Sequence, residues 1–244
     1  MPPHFLAILR SEDRRWCAQR NRDSAIAPMA SPDELAAYVA GTTLFYGLEF
    51  EVTPAVLVPR VSTEVVVKEV VRIAEKNRSR RILDLGTGSG NILLACLSCL
   101  ADMVLGVGVD ICNDALVVAS RNAQKLNICN HRSKFVEADF GSLHSNTEVC
   151  PRPFDIVVSN PPYLSEADAR ATLDSAKLRH EPRHALIAPS CSDSRVGRGL
   201  GAYVGIAQSL ELSKSEGNPL LADDAHVVLE VPKRRIAQVR EIFE

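Results

Sequence analysis

"RILDLGTGSGNILLACLSCL", Arg81 to Leu100, passes through three kinds of chain in succession. Arg81 to Leu85 is a short apolar run, Gly86, Gly88 and Gly90 punctuate a turn, and a second apolar run follows. Glycine tolerates the left-handed backbone that a sharp turn needs, so the stretch predicts a buried strand, a tight turn and a helix over Gly88 to Leu100. The same alternation continues downstream. Val104 to Asp110 reads as a strand, Asp114 to Leu126 as a helix, Lys134 to Asp139, Phe154 to Val158 and His226 to Val231 as further strands. Strands apolar on both faces and separated by helices predict an α/β, doubly wound, mostly parallel sheet covered on both sides. Ligands of such sheets sit at the carboxyl ends of the strands.

Upstream, Ser31-Pro32-Asp33-Glu34 offers a helix start, with the helix running to about Ala40. "LFYGLEFEVTPAVLVPR" (Leu44 to Arg60) has the aromatics, Gly47, Pro54 and Pro59 of short strands or a hairpin. Ser62-Thr63-Glu64 then opens an amphipathic helix to about Lys76, with Val65, Val66, Val70 and Ile73 on one face. The organisation expected is an N-terminal segment, partly disordered or helical (1–43), a β-hairpin linker (44–62) and the wound domain (63–244). Ser190 to Gly201 reads as a Gly/Ser/Arg-rich loop.

A chain of 244 residues buries a full core. Its 28 Lys and Arg against 30 Asp and Glu leave a formal charge of −2, which supplies no global field for nucleic acid or anionic lipid. Seven scattered cysteines, an odd number, point to reduced thiols in an intracellular compartment. Cys96 and Cys99 have no second Cys-x-x-Cys partner and read as buried helix residues rather than metal ligands. No apolar run reaches the roughly 18 residues of a membrane span. Arg10, Arg14, Arg15, Arg20 and Arg22 suit an organelle transit peptide, whereas Glu12, Asp13 and Asp23 do not, so mitochondrial and cytoplasmic locations both stay open.

Three successive strand tips carry a consistent chemistry. The turn Gly86-Thr87-Gly88-Ser89-Gly90 brings bare backbone and a helix N-terminus to a ligand, although its G-x-G-x-G spacing is not the dinucleotide fingerprint. Asp110, followed by Ile111, ends the next strand about twenty residues on, where a carboxylate accepts hydrogen bonds from ribose hydroxyls. Asn113 or Asp114 is left to cap the helix that follows. Asp139 and Phe140 end the third strand, where an adenine amine and ring face can be read. Together these predict an adenosine-type cofactor.

The fourth tip is "SNPPY", Ser159 to Tyr163. The oxygen of Asn160 accepts from an NH2 group, Pro161 and Pro162 present carbonyls without N–H groups, and Tyr163 offers a face for a planar group. No general base accompanies them, because His180 and His184 read as surface residues of a charged loop. Alignment without acid–base help suits transfer from an activated donor, which makes S-adenosyl-L-methionine the expected cofactor.

At these residues the chain resembles class I S-adenosylmethionine-dependent methyltransferases with an Asn-Pro-Pro-Tyr motif. More narrowly, "FYGLEFEVTPAVLVPR", "ILDLGTGSG", "GVDICNDAL", "FDIVVSNPPY" and "HEPRHAL" are similar to blocks of the release-factor glutamine N5-methyltransferases, the HemK/PrmC family. The resemblance runs from about Leu44 to the last residue. It implies methylation of a glutamine side-chain amide in the Gly-Gly-Gln loop of a peptide-chain release factor, by a monomer with no membrane partner. It implies that Gly86 to Gly90, Asp110 and Phe140 hold the cofactor, that Asn160 touches both ligands and that Asn160 to Tyr163 hold the glutamine. The chain differs from the family in four places. Pro59-Arg60-Val61-Ser62-Thr63-Glu64 replaces Pro-Arg-Pro-Glu-Thr-Glu, about forty residues precede the shared blocks, and "LIAPSCSDSRVGRGLGAY" replaces a shorter glycine-rich turn. The chain also stops at Glu244, where the family continues into an antiparallel strand pair, which predicts an uncovered sheet edge. Two other readings stand beside this one. A DNA or RNA amino methyltransferase would use Arg170, Lys177, Arg179, Arg183, Arg195 and Arg198 as a basic track, and an inactive homologue would bind cofactor only.

Overall fold

A computed structural model describes residues 4–9, 34–128, 130–146, 148–149, 152–173, 180–190 and 199–244. The strands are β1 (His4–Leu9), β2 (Thr42–Phe45), β3 (Leu48–Glu51), β4 (Arg81–Leu85), β5 (Leu105–Asp110), β6 (Ser133–Glu137), β7 (Phe154–Ser159) and β8 (Leu221–Val231). The helices are α1 (Glu34–Ala40), α2 (Glu64–Asn77), α3 (Asn91–Cys99), α4 (Asn113–Lys125), α5 (Glu166–Leu173), α6 (Arg183–Leu186), α7 (Gly201–Ser215) and α8 (Ile236–Phe243). β2 and β3 form an antiparallel hairpin. The other strands make one parallel sheet in the order β1-β8-β7-β4-β5-β6. This is the doubly wound α/β sheet that the alternation of strands and helices predicts.

Side chains alternate across a strand, and here both faces are apolar. Ile82, Ile156, Val158 and Val228 point into one cluster, which α2 and α3 close with Val66, Val67, Val70, Ile73 and Ile92 to Leu97. Leu83, Leu85, Val157, Val227 and Leu229 point into the other, where Tyr203 and Ile206 of α7 and Val239 of α8 pack. Each such side chain contributes roughly 1.5–3 kcal/mol by leaving water. On α2 the buried stripe is Val66, Val67, Val70, Ile73 and Ala74, while Val65 is only half-buried. A Cβ added at Gly106 would lie 2.6 Å from Leu93 Cδ1, so α3 packs directly on the backbone of β5.

Two buried polar side chains tie loops to this frame. Arg132, 8% exposed, donates to the carbonyls of Leu97 (2.9 Å), Leu100 (3.2 Å) and Ala101 (3.2 Å), neutralising the C-terminal end of α3. Asn122 of α4, fully buried, accepts from Glu51 N at 2.6 Å and donates to Glu51 O at 3.0 Å and Ser89 O at 2.9 Å. It therefore fastens the hairpin to the glycine turn through α4.

Several elements depart from the sequence expectation. α3 begins at Asn91 rather than Gly88, because Gly88 and Gly90 take φ of 54° and 77°, outside helical space. β8 starts at Leu221, five residues before His226, with an irregularity opposite Phe154 to Ile156. Helix α7 has no counterpart in the sequence reading. Cys96 is buried as expected, but Cys99, at the end of α3, is exposed. The β8 edge that the chain's ending seemed to leave bare is paired by β1, with His4 opposite His226 and Leu9 opposite Val231. Ser31 to Asp33, the arginines between 10 and 22, and Lys177, Arg179, Arg195 and Arg198 lie outside the described residues.

Replacing Asn122 with alanine leaves the Glu51 and Ser89 backbone groups unpaired. Urea unfolding of that variant is expected to show a loss of about 3 kcal/mol. A loss under about 1 kcal/mol would mean that water replaces the amide at little cost.

Candidate functional site

The chain leaves β4 outward to β5 and β6, then returns to β7 on the other side of β4. The carboxyl ends of β4 and β7 flank the point where the winding reverses, the usual crevice for ligands. The turn after β4 and the Asn-Pro-Pro-Tyr segment after β7 therefore open onto the same space.

In the first turn Gly86, Gly88 and Gly90 all have positive φ. Thr87 N donates to Val109 O (2.9 Å), Gly90 N to Thr87 O (2.8 Å) and the Thr87 hydroxyl to Asp84 Oδ2 (2.7 Å). Asp110 spans two strand tips, since Oδ2 accepts from Gly88 N at 2.9 Å and Oδ1 from Cys112 N at 3.0 Å. Each of its oxygens retains a lone pair for a ligand hydroxyl. Burial pushes the Asp110 carboxyl above its ordinary range, opposed by those backbone donors. α4 has no side-chain cap, so neither Asn113 nor Asp114 takes the role the sequence suggests for them. Asp84 is fully buried; burial raises its carboxyl to about 7, the Thr87 bond and the Leu93 backbone oppose the rise, and the nearby Asp110 charge adds to it.

At the third tip Asp139 Oδ1 accepts from Gly141 N (2.7 Å) and starts a 3-10 turn over residues 140–145. A Cβ on Gly86 would meet the Phe140 ring at 3.3 Å, so the ring lies against the glycine turn. At the fourth, the Ser159 hydroxyl donates to Leu85 O (2.6 Å), pinning β7 to β4. Asn160 Nδ2 donates to the buried hydroxyl of Thr63 (3.3 Å), and its Oδ1 has no hydrogen bond among the described residues. Thr63, the N-cap of α2, makes no cap bond with its side chain and instead sets the amide of Asn160.

A cavity of about 270 Å³ lies between these tips. Of the residues singled out from the sequence, Gly86, Thr87, Gly88, Ser89, Asp110, Ile111, Asp139, Phe140, Asn160 and Pro162 line it. Gly90 sits beneath the turn against Leu94 and Ala119. Pro161 is buried, and Tyr163 packs half-buried against the apolar cluster under the other face of the sheet, so neither is on the cavity wall. The rest of the wall comes from Ala55 to Leu57, Pro59, Arg60 and Thr63 in and just after the Leu44–Arg60 block, from Asn91 and Ile92 at the start of α3, and from His184, Ala185, Ile187 and Pro189 in and just after "HEPRHAL". His180 and His184 are exposed, as the charged loop suggests, yet His184 also faces the cavity. Arg183, one of the basic-track candidates, pairs with Glu166 at 3.3 Å. Among the described residues no cluster of metal-ligating side chains occurs, and no helix is long and apolar enough to cross a membrane.

A family model described as "Methyltransferase domain" matches residues 76–223, more than half of the chain. The chain belongs to this methyltransferase-domain family. Within it, the chain is 44% identical over 161 residues to the release factor glutamine methyltransferase of Chlorobaculum tepidum, covering 63% of this chain and 52% of the relative. It is 40% identical over 156 residues to that of Salmonella typhimurium (64% and 52%), and 30% identical over 208 residues to that of Fusobacterium nucleatum (85% and 52%). The chain thus spans about half the length of the curated relatives it matches. Among solved structures, the SAM-dependent methyltransferase from Agrobacterium tumefaciens superposes with a TM-score of 0.52 at 14% identity, over 83% of this chain and 56% of that one, a likeness of fold.

The raised carboxyl of Asp84 makes stability depend on pH. Between its ordinary value of 3.8 and about 7 the folded protein keeps a proton that the unfolded chain releases. The contribution is full below the ordinary value and is lost as pH rises through the folded one. Asp84→Asn keeps an acceptor for Thr87 and cannot ionise. Its stability advantage over the wild type is expected to grow from about pH 4 to about pH 7 and then level off, at up to about 4 kcal/mol. Urea unfolding across that range checks this, and parallel curves for the two proteins would refute it.

Proposed function

We propose that this chain transfers the methyl group of S-adenosylmethionine to the side-chain amide nitrogen of a glutamine in the Gly-Gly-Gln loop of a peptide-chain release factor, acting as a monomer. The names of the relatives support the substrate class, and the residues of the cavity suit the cofactor. A Cβ on Gly88 would meet nothing within 4 Å, so the turn leaves open space beside the first N–H groups of α3. The free lone pairs of Asp110 suit two ribose hydroxyls. Ile111, 51% exposed, and the Phe140 ring offer apolar faces for a purine, with the second oxygen of Asp139 near its amine. When bound, the cofactor supplies a methyl group on a sulfonium, which departs without an acid catalyst.

The observation that carries the reading is the orientation of Asn160. With Nδ2 committed to Thr63, the amide presents oxygen to the cavity, and an acceptor there selects an incoming –NH2 over a carboxylate or hydroxylate. Pro161 and Pro162 add no competing donor, and Pro162 is the one on the wall. As positive charge grows on the attacking nitrogen, the Asn160 oxygen stabilises it, and the proton passes to solvent. Tyr163 has no stacking role in this account.

Labelled-methyl transfer to recombinant release factors, with the modified residue mapped by mass spectrometry, tests the proposal. Methylation at the glutamine of Gly-Gly-Gln is expected. Asn160→Ala should cut transfer by roughly a hundredfold or more while S-adenosylhomocysteine binding stays within about twofold. Normal methylation by that variant would refute the amide-grip mechanism. Methyl incorporation into nucleic acid, with steep salt dependence, would favour the amino-methyltransferase reading instead.

A further inference from the structure

Glu181 is a buried acid beside the site that takes no part in holding either ligand. Its side chain is fully buried and pairs with Arg60, whose side chain is 13% exposed, across 121 residues of sequence. The same carboxylate accepts from Val58 N at 3.3 Å. A carboxylate removed from water is stable only with its charge and lone pairs answered, and the arrangement that answers them fixes direction as well as distance. Residues 58–60 and the start of the 180–190 segment are thereby held in one register.

The other end of that segment is fastened separately. Leu164, directly after Tyr163, donates to Leu186 O (3.0 Å) and accepts from Ala188 N (2.9 Å), forming a parallel bridge with Ile187. His184 and Ala185 lie between the two fastenings and face the cavity, as do Pro59 and Arg60 on the opposite strap.

We propose that Glu181 is a positioning residue: through Arg60 and the Val58 amide it closes residues 58–60 and 180–188 over the substrate side of the cavity, setting how the methyl-accepting side chain is presented. This rests on the protein-glutamine reading above. The Arg60 guanidinium is spent on Glu181 within the wall, so the incoming loop meets a compensated charge rather than a free cation.

Two variants separate positioning from simple stability. Glu181→Gln keeps shape and an acceptor but loses the charge. The double variant Arg60→Met with Glu181→Leu replaces the ion pair by apolar side chains, which preserves burial but has no directional bonds. Both are expected to raise KM for the release factor at least about tenfold, with kcat within about threefold and S-adenosylhomocysteine binding within about twofold. Amide hydrogen exchange at Val58, whose N–H the carboxylate holds, and at Ala185, in the turn next to Glu181, should accelerate together in Glu181→Gln. A wild-type KM in the double variant would show the pair to be filler and overturn the proposal, as would loss of S-adenosylhomocysteine binding in step with activity. Should the wild type methylate no release factor, the substrate reading fails by itself, and the exchange comparison on the free protein still decides the clamp: unchanged exchange at Val58 and Ala185 in Glu181→Gln overturns it.

Discussion

The parallel register of β4 against β7 sets Leu85 opposite Ser159, and the Ser159 hydroxyl bonded to the Leu85 carbonyl pins the last rung of that ladder. Two chain exits are thereby placed side by side where the winding of the sheet reverses. One exit is the glycine turn and the other is Asn160. A one-residue slip would turn Ser159 and Asn160 to opposite faces and separate the two halves of the cavity. The apolar side chains on both faces of β4 and β7 make such a slip costly, so the packing of the sheet also sets the geometry of the site.

Around that pair the site is built from polar side chains that join distant segments. Asp110 links the first turn to the second strand tip, Asn122 holds the hairpin to Ser89, and Thr63 orients Asn160. Each is buried, and each meets its hydrogen bonds with backbone or with one specific side chain. Buried polar groups left unpaired are expensive, so these bonds specify one arrangement of the loops while adding little net stability.

The strands, and the three tips at Gly86 to Gly90, Asp110 and Asp139-Phe140 that gather at the cavity, were legible because their signals are local: apolar runs of strand length, glycines at a turn, an acid at a strand end. Thr63 was hidden because its hydroxyl reads as a helix cap, and only a contact across 97 residues shows its other use. Asn-Pro-Pro-Tyr reads as one unit, yet extended backbone sends successive side chains to opposite sides, so Asn160 and Pro162 reach the cavity while Pro161 and Tyr163 turn into the protein. Helix α7 escaped notice because part of its buried face is Gly201, Ala202, Ser209 and Ser213, small residues with little hydropathic contrast. The walls from residues 55–60 and 184–189 lie in and beside blocks that carry the family resemblance, but their residue types spell out no chemistry, and the fold is what brings them to the site.

The placement of β1 bears on how the protein behaves in concentrated solution. Among the described residues β1 is the outermost strand on its side of the sheet, and β6 is outermost on the other. β6 carries exposed Lys134 and Glu137, charges that discourage a neighbouring molecule from adding a strand. His4-Phe5-Leu6-Ala7-Ile8-Leu9 holds no Lys, Arg, Asp or Glu, so its outer row of backbone donors and acceptors lacks that protection. Among the described residues, this flank is where a strand of a second molecule would meet the fewest charges on crowding.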